Sequence, residues 1–194
     1  IVTHVFGRSA NIEKIRRICN AFRIILVEDA AEALGTFYKK KHVGNFGKLS
    51  ALSFNGNKII TTGGGGAILT NNLKIANLAK HLSTTAKLSH QWEFNHDQIG
   101  WNDRLPNINA ALGGSQIEQI ENKVNLKRLL HKKYVEIFKD LNEVEILEED
   151  KKCKSNYWLN TLRLMGEGSE ILKEQILVYR FQVQIKFYCY QYFL

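Results

Sequence analysis

The sequence of 194 residues is 44% hydrophobic and 24% charged and contains a single proline, a composition of folded globular proteins that excludes a disordered chain. Its net charge of +8, from 27 basic and 19 acidic residues, raises the possibility of an anionic partner. No apolar run approaches the roughly 20 residues of a membrane-spanning helix, so we expect no membrane association and a cytoplasmic location.

The amino-terminal part of the sequence predicts alternating strands and helices. It opens without an initiator methionine or a signal pattern, and we expect that its true start is missing. A β-rich run covers residues 2–6, and apolar residues at helical spacing predict a helix over 11–22. The continuously apolar run 24–27 predicts a strand buried on both faces of a parallel sheet. Because ligands bind at the carboxyl ends of such strands, Glu28 and Asp29 are candidate site residues.

The next stretch predicts two strands on either side of a glycine-rich loop. They cover residues 49–54 and 66–70, after a polar link. The four glycines at 63–66 allow either a close approach of the backbone to a ligand or a plain flexible loop. An asparagine after the second strand can cap a helix that runs to about residue 86. The core layers are then helices over a sheet.

The carboxyl-terminal part predicts a long helix and the beginning of a smaller domain. Pro106 suits the first position of a helix that continues to about residue 141 and that glycines 113 and 114 can bend. Two strand candidates follow, at 144–147 and 157–164, separated by a charged turn at 148–154. From residue 178 the sequence is crowded with aromatic residues.

The basic residues are unevenly distributed. Between Ala33 and Trp92 there is no Asp or Glu. The same stretch contains eight lysines: Lys39, Lys40, Lys41, Lys48, Lys58, Lys74, Lys80 and Lys87. The resulting positive potential fits an ordinary solvated surface, a small phosphorylated ligand or a polynucleotide.

Neither the cysteines nor the histidines indicate a metal site. The three cysteines, Cys19, Cys153 and Cys189, are odd in number and far apart, so they predict neither a disulfide framework nor a zinc site. The six histidines show no ligand spacing such as HExxH. We therefore expect no metal.

Lys58 is the candidate catalytic residue, because of the residues that accompany it. Asp29 ends one predicted strand, Ser53 ends another, and glycines follow the lysine. Pyridoxal phosphate (PLP) chemistry uses these residue types: a lysine that forms an imine, a carboxylate near the pyridine nitrogen, and a hydroxyl and backbone amides for the phosphate. A solvated lysine in a loop remains the alternative, since order along the chain does not establish proximity.

Six ordered motifs carry a resemblance to a known family. They are VEDAAEALG at 27–35, VGNFG at 43–47, SFNGNK at 53–58, TTGGGGA at 61–67, IGWNDRLP at 99–106 and NAALG at 109–113. Over about residues 1–165 the sequence closely resembles the DegT/DnrJ/EryC1/StrS aminotransferases, which are PLP-dependent sugar aminotransferases. The sequence of the lysine motif is most similar to that of members that aminate a UDP-linked 4-keto-6-deoxy-N-acetylhexosamine. Such sugars lead to bacillosamine or legionaminic acid.

The resemblance implies a fold and a division of the chain. The fold is an α/β large domain of the aspartate-aminotransferase type (PLP fold type I) with a mostly parallel sheet, followed by the start of a small α/β domain. The implied divisions are a partial PLP-binding domain at 1–105, a connecting helix at 106–141 and a partial small domain with an aberrant tail at 142–194.

The resemblance also implies roles for the site residues. Lys58 binds PLP covalently and then transfers protons, Asp29 pairs with the pyridine nitrogen, and Ser53 binds the phosphate. Asn102, with the substrate-binding candidate Arg104 nearby, reaches the site of the neighbouring subunit in a homodimer.

Glu32 is the departure from the family pattern. It is a cofactor-binding candidate, but it stands where many members have Gln near the ring oxygen, and an ionised carboxylate cannot donate a hydrogen bond there.

The implied reaction transfers an amino group, from glutamate, to the keto carbon of a nucleotide-linked sugar. The family has a longer amino-terminal portion and a longer carboxyl-terminal domain, so we expect a truncated chain of weak or no activity. Two other functions stay open: a basic nucleic-acid-binding protein, and an inert structural or oligomerising remnant.

Overall fold

The computed structural model describes residues 1–165, so the predictions for the aromatic tail and for the end of the small domain lie outside the described residues. The helices are α1 (Ile12–Ala21), α2 (Leu73–Ser83), α3 (Asn107–Ile117) and α4 (Ile120–Phe138). The strands are β1 (Val2–Thr3), β2 (Val27–Asp29), β3 (Phe37–Tyr38), β4 (Lys41–His42), β5 (Leu49–Ser53), β6 (Gly66–Leu69), β7 (Val144–Ile146), β8 (Cys153–Lys154) and β9 (Leu162–Leu164). No helix of the described part is long and apolar enough to cross a membrane.

The central sheet has the strand order β1-β2-β5-β6. Strands β1, β2 and β5 are parallel, and β6 runs antiparallel to β5. The register pairs Thr3 with Asp29 and Asp29 with Ala51, so the carboxyl ends of the three parallel strands meet at one edge. Ile12 of α1 is fully buried in the core cluster that also holds Leu52 of β5. The predicted α/β class with a mostly parallel sheet is confirmed.

The first two strands differ from their predicted limits. Only residues 2–3 of the first run are extended, because Val5–Gly7 forms a 3-10 turn. The second strand was predicted at 24–27, but β2 begins at Val27, opposite Leu49, the first residue of β5. Residues 24 and 25 precede the paired region and have 58% and 71% of their surfaces exposed, so the prediction that both are buried is wrong.

The predicted long helix is interrupted. Pro106 is the residue before α3 rather than its first residue, and the chain leaves the helix at Glu118 and Gln119, not at the glycine pair. Each part is held by a different neighbour. The Gln116 amide near the end of α3 exchanges hydrogen bonds with both backbone groups of Thr61, at 3.2 and 2.8 Å, whereas Val124 of α4 packs in the cluster around Ile60.

Residues 148–164 also differ from prediction. The predicted charged turn contains β8, which pairs with β3 through Tyr38 and Cys153. The second strand candidate is extended only at Leu162–Leu164, where β9 pairs with β7. Tyr157 has a positive φ of 46°, outside the range of a strand, and the segment 155–158 is buried instead of paired.

Gly66 gives the first testable prediction, because β6 lies very close to β5. A Cβ on Gly66 would overlap the carbonyl oxygen of Leu52, a backbone atom that side-chain rotation cannot move. We expect Gly66→Ala to lower the free energy of unfolding by about 3 kcal/mol, the upper range for overpacking. Gly64→Ala is the control, since a Cβ there meets nothing within 4 Å. Urea unfolding measures both; equal losses would contradict the close approach.

Candidate active site

Asp29 and Ser53 lie at the same edge of the central sheet. Asp29 ends β2 opposite Ala51, and Ser53 ends β5 two residues further on. One oxygen of the Asp29 carboxylate accepts the Ala31 N–H at 3.1 Å, and the other lies 3.5 Å from the Thr3 hydroxyl, at the limit of a hydrogen bond. The Ser53 hydroxyl accepts the N–H of Asn55 at 3.3 Å. Both side chains therefore stand where the parallel strands deliver their carboxyl ends.

Lys58 lies in the turn that follows β5. Its N–H donates to the Asn55 carbonyl at 3.0 Å, which closes the turn, and its side chain is only 13% exposed. The Nζ atom is 3.8 Å from Glu32 Oε1 and 4.0 Å from the centroid of the Trp158 indole ring. Lys58 is thus a largely buried lysine with an acidic and an aromatic neighbour, which excludes the solvated-loop alternative.

Glu32 is held in place by the backbone. Its second oxygen, Oε2, accepts the N–H of Phe6 at 2.6 Å, while Oε1 faces Lys58. Glu32 lies three residues after Asp29, the last residue of β2. Its contact with Lys58 therefore places the lysine near the end of that strand. The structure therefore places four sequence-predicted residues, Asp29, Glu32, Ser53 and Lys58, at one end of the sheet.

Asn102 and Arg104 are not part of this cluster. Asn102 is exposed and forms an isolated bridge with Thr84, and Arg104 is exposed on a cleft of about 950 Å³ beside the glycine run 63–66. Neither has a hydrogen bond or an ion pair to Lys58 within the described residues. Their predicted role at a neighbouring subunit's site stays a prediction.

Trp158 is a site residue that the sequence did not indicate. It is 4% exposed, and its Nε1–H donates to the carbonyl of Asn57 at 2.6 Å, directly before the lysine. The buried Asn156 fixes the approach of this tryptophan, because its Oδ1 accepts the N–H of Trp158 at 2.8 Å while its Nδ2 donates to the carbonyls of Glu32 and Leu34 at 2.9 and 2.8 Å. No local pattern could reveal the contact, since 101 residues separate the two partners.

Glu28, which the sequence predicted as a site residue together with Asp29, is instead buried in the core, where it organises the VGNFG loop. Its fully buried carboxylate accepts N–H groups of Gly44, Phe46 and Gly47 at 2.7, 2.6 and 2.5 Å. Burial raises the pKa of Glu28, but the hydrogen bonds from His4 and from these amides outweigh that effect and hold the pKa below its ordinary value. Glu28 is therefore a buried anion that holds this loop against the sheet.

His4 also forms a hydrogen bond with the Glu28 carboxylate. Its Nδ1 accepts the N–H of Ala10 at 3.1 Å, so the proton of the neutral ring lies on Nε2 and is donated to Glu28 at 3.0 Å. The loop it helps to hold includes Gly47, where a Cβ would lie 2.7 Å from the Leu26 carbonyl oxygen.

The comparisons with known proteins are extensive. The model of the DegT/DnrJ/EryC1/StrS aminotransferase family matches residues 1–192, further along the chain than the predicted limit near 165. The chain belongs to this family. Its members are PLP-dependent sugar aminotransferases of fold type I, so the predicted family and fold are confirmed and, at the level of the family, so are the enzyme class and the cofactor.

Individual relatives give the same result. EpsN of Bacillus subtilis is 38% identical over 164 residues, which are 84% of this chain and 42% of EpsN. The GDP-perosamine synthase of Escherichia coli O157:H7 is 34% identical over 174 residues, 89% of this chain and 47% of the synthase. PseC of Helicobacter pylori, an aminotransferase of pseudoaminic acid biosynthesis, superimposes with a TM-score of 0.87 at 30% identity, covering 94% of this chain and 49% of PseC. The chain thus spans about half the length of these family members.

The described residues fit the family's cofactor. Lys58 is shielded from solvent yet close to the carboxyl ends of the strands, and a carboxylate and a hydroxyl lie at the same edge, at Asp29 and Ser53. These are the groups that PLP requires for covalent attachment, for its ring nitrogen and for its phosphate.

Glu32 gives the second testable prediction. Glutamine at this position keeps an oxygen for the Phe6 N–H and adds an amide that can donate a hydrogen bond to the ring oxygen of PLP. One such bond stabilises by about 1 kcal/mol, so we expect Glu32→Gln to bind PLP about fivefold more tightly in a spectroscopic titration. Glu121→Gln, the same change on the exposed face of α4, is the control and should have no effect. Weaker binding by Glu32→Gln would show that the carboxylate itself is needed.

Proposed function

We propose that this chain carries the PLP site of an aminotransferase that transfers an amino group from glutamate to a nucleotide-linked 4-keto-6-deoxy sugar. The observation that carries the proposal is the side chain of Lys58, 87% removed from solvent and placed between Glu32 and Trp158 at the carboxyl edge of the sheet. Relatives named as GDP-perosamine synthases and as UDP-4-amino-4,6-dideoxy-N-acetyl-beta-L-altrosamine transaminases support a nucleotide-linked sugar as acceptor.

Each residue of the cluster would have a distinct task. Lys58 would hold PLP through Nζ and, once an incoming amine has displaced it, would use the freed amine to carry a proton between the substrate carbon and the cofactor. Asp29 would keep a proton on the pyridine nitrogen, and the Ser53 hydroxyl would donate to the phosphate. When bound, PLP supplies an electron sink for the charge that proton removal leaves on carbon. The Trp158 ring excludes water from one side of Nζ, because it lies within 4.0 Å of that atom.

We propose further that the protein acts as a homodimer in which Asn102 and Arg104 reach the partner's site. Both are exposed, and the apolar residues near them in the sequence, Ile99, Trp101 and Ile108, are 85%, 58% and 81% exposed. Exposed apolar residues in this density are typical of an interface.

The remaining predictions concern the domain division, the location and the activity of the protein. We propose the division of the chain at about residues 105 and 141 and a cytoplasmic location. We also propose that residues 1–194 by themselves have weak or no aminotransferase activity.

The experiment is covalent trapping of PLP. The 194-residue protein is incubated with PLP and reduced with borohydride, and the modified lysines are mapped by mass spectrometry. We expect Lys58 to be modified at lower PLP concentrations than any exposed lysine, with Lys74 on α2 as the internal reference. Equal modification of Lys58 and Lys74 would contradict the proposal. Amino transfer from glutamate to a nucleotide-linked keto sugar is then assayed, and we expect low turnover.

A further inference from the structure

A basic groove of about 360 Å³ lies between α1 and the β3–β4 hairpin. Its lining includes Glu13, Arg16, Arg17, Tyr38, Lys41 and Phe46. None of the lining residues belongs to the cluster around Lys58. The volume is within the range of small-molecule sites, which begins at about 300 Å³.

The hairpin that forms one wall has an unusual turn. Its two central residues, Lys39 and Lys40, both have positive φ, at 46° and 67°. A two-residue turn of this type favours glycine and asparagine, and a lysine at each position is a local strain of the kind that collects at functional sites. The turn directs Lys39 back to α1, where its Nζ lies 2.7 Å from Glu13.

The acidic group of the groove is already neutralised. Glu13 accepts two hydrogen bonds from Lys39 and one from the Tyr38 hydroxyl at 3.0 Å. These bonds lower the pKa of Glu13, and Lys152 is close enough to contribute to the shift. Within residues 1–165, Arg16, Arg17 and Lys41 have no acidic partner. The groove therefore carries about three uncompensated positive charges.

The floor of the groove is aromatic but covered. The Tyr38 and Phe46 rings meet edge to face with centroids 6.0 Å apart, and the Lys41 ammonium lies 4.9 Å from the centre of the Phe46 ring. Because that cation occupies the ring face, a nucleobase has no open surface on which to stack. Recognition must then depend on the ligand's negative charge.

We propose that this groove is a second binding site, separate from Lys58, for a small ligand that carries two linked phosphate groups. Two neighbouring guanidinium groups suit phosphate oxygens, since each can donate two parallel hydrogen bonds, and Lys41 adds a third charge. A single short groove favours a compact diphosphate over a polynucleotide, which needs an extended basic track with open stacking faces.

The test is isothermal titration of the 194-residue protein with inorganic pyrophosphate at low salt. We expect the double variant Arg17→Gln/Lys41→Gln to bind about tenfold more weakly, the loss for about 1.4 kcal/mol of charge-assisted contacts. The control Lys132→Gln/Lys133→Gln removes the same charge from the exposed face of α4 and should change the Kd less than about twofold. Circular dichroism checks that both variants are folded.

Three further measurements complete the test. Lys58→Ala should bind pyrophosphate as the unmodified protein does, and loss of binding in that variant would overturn the proposal by placing the anion at the cofactor site. Titration with uridine diphosphate shows which kind of diphosphate the groove binds. A Kd equal to that of pyrophosphate supports any diphosphate, and a lower Kd supports a nucleotide. Binding of single-stranded DNA that pyrophosphate fails to displace, or equal losses in the two double variants, would overturn the site.

Discussion

Glu28→Ala is expected to lower the free energy of unfolding by about 4 kcal/mol, although residue 28 has no part in the proposed chemistry. The substitution leaves the buried N–H groups of Gly44, Phe46 and Gly47 and the ring of His4 without their acceptor. Removing one member of a buried charged network costs about 3–5 kcal/mol, because the remaining groups are desolvated and unpaired. Denaturant unfolding followed by circular dichroism measures the loss.

Glu136→Ala is the control for this substitution. It removes a carboxylate that is 72% exposed and pairs with Lys139, so its cost should stay below about 0.5 kcal/mol. A loss in Glu28→Ala no larger than that of the control would show that the loop does not depend on the buried anion.

Glu28 also predicts that the stability of the protein depends on pH. The pKa of Glu28 is lower in the folded protein than in the unfolded chain, where it is close to the ordinary 4.5. Its contribution to stability is therefore complete above that ordinary value and is lost as the pH falls through the folded pKa. The difference in unfolding free energy between the unmodified protein and Glu28→Ala should shrink over that acidic range, and a difference that grows with acidity would contradict this.

Trp158→Ala is expected to lower the free energy of unfolding by about 3–5 kcal/mol, the usual loss when a buried aromatic side chain is deleted. The indole packs in the cluster of Ile59, Ile60 and Val124 and donates to the Asn57 carbonyl. Trp92→Ala is the control, because Trp92 is 77% exposed. Similar losses in the two variants would contradict the role of Trp158 in the core.

Trp158→Phe separates packing from the hydrogen bond. It keeps an aromatic face for Lys58 but cannot donate to Asn57, so we expect a loss of about 1–2 kcal/mol in stability. Since Asn57 immediately precedes the lysine, a loosened turn should also reduce PLP trapping on Lys58 severalfold. Unchanged trapping in this variant would limit Trp158 to a packing role.

Sequence patterns predicted the sheet and the residues Asp29, Glu32, Ser53 and Lys58 at its carboxyl edge, and the acidic pair shows why the environment of each residue was not predicted. Successive side chains of a strand point to opposite faces, so Glu28 enters the core while Asp29 remains at the accessible edge. A three-residue strand contains too few apolar positions to reveal which face is buried. Two carboxylates that look alike in the sequence therefore have opposite environments.

The remaining differences arise from long-range packing. Residues 24 and 25 have the apolar, β-branched character of a strand but lie before the point where β5 offers a partner. Trp158 was assigned to a strand, and its actual position depends on Asn156, whose hydrogen bonds reach back to residues 32 and 34. Local preference cannot predict such contacts, because their partners are more than 100 residues away in the sequence.

The pairing of β8 with β3 and the contact of Trp158 with Asn57 have a consequence for biogenesis. As the nascent chain leaves the ribosome, the lysine turn emerges about 100 residues before the indole that covers it. Contacts of such high sequence separation form slowly, because a long loop must close first. We therefore expect the surroundings of Lys58 to be assembled late in folding, and its amine to stay uncovered by the indole until then.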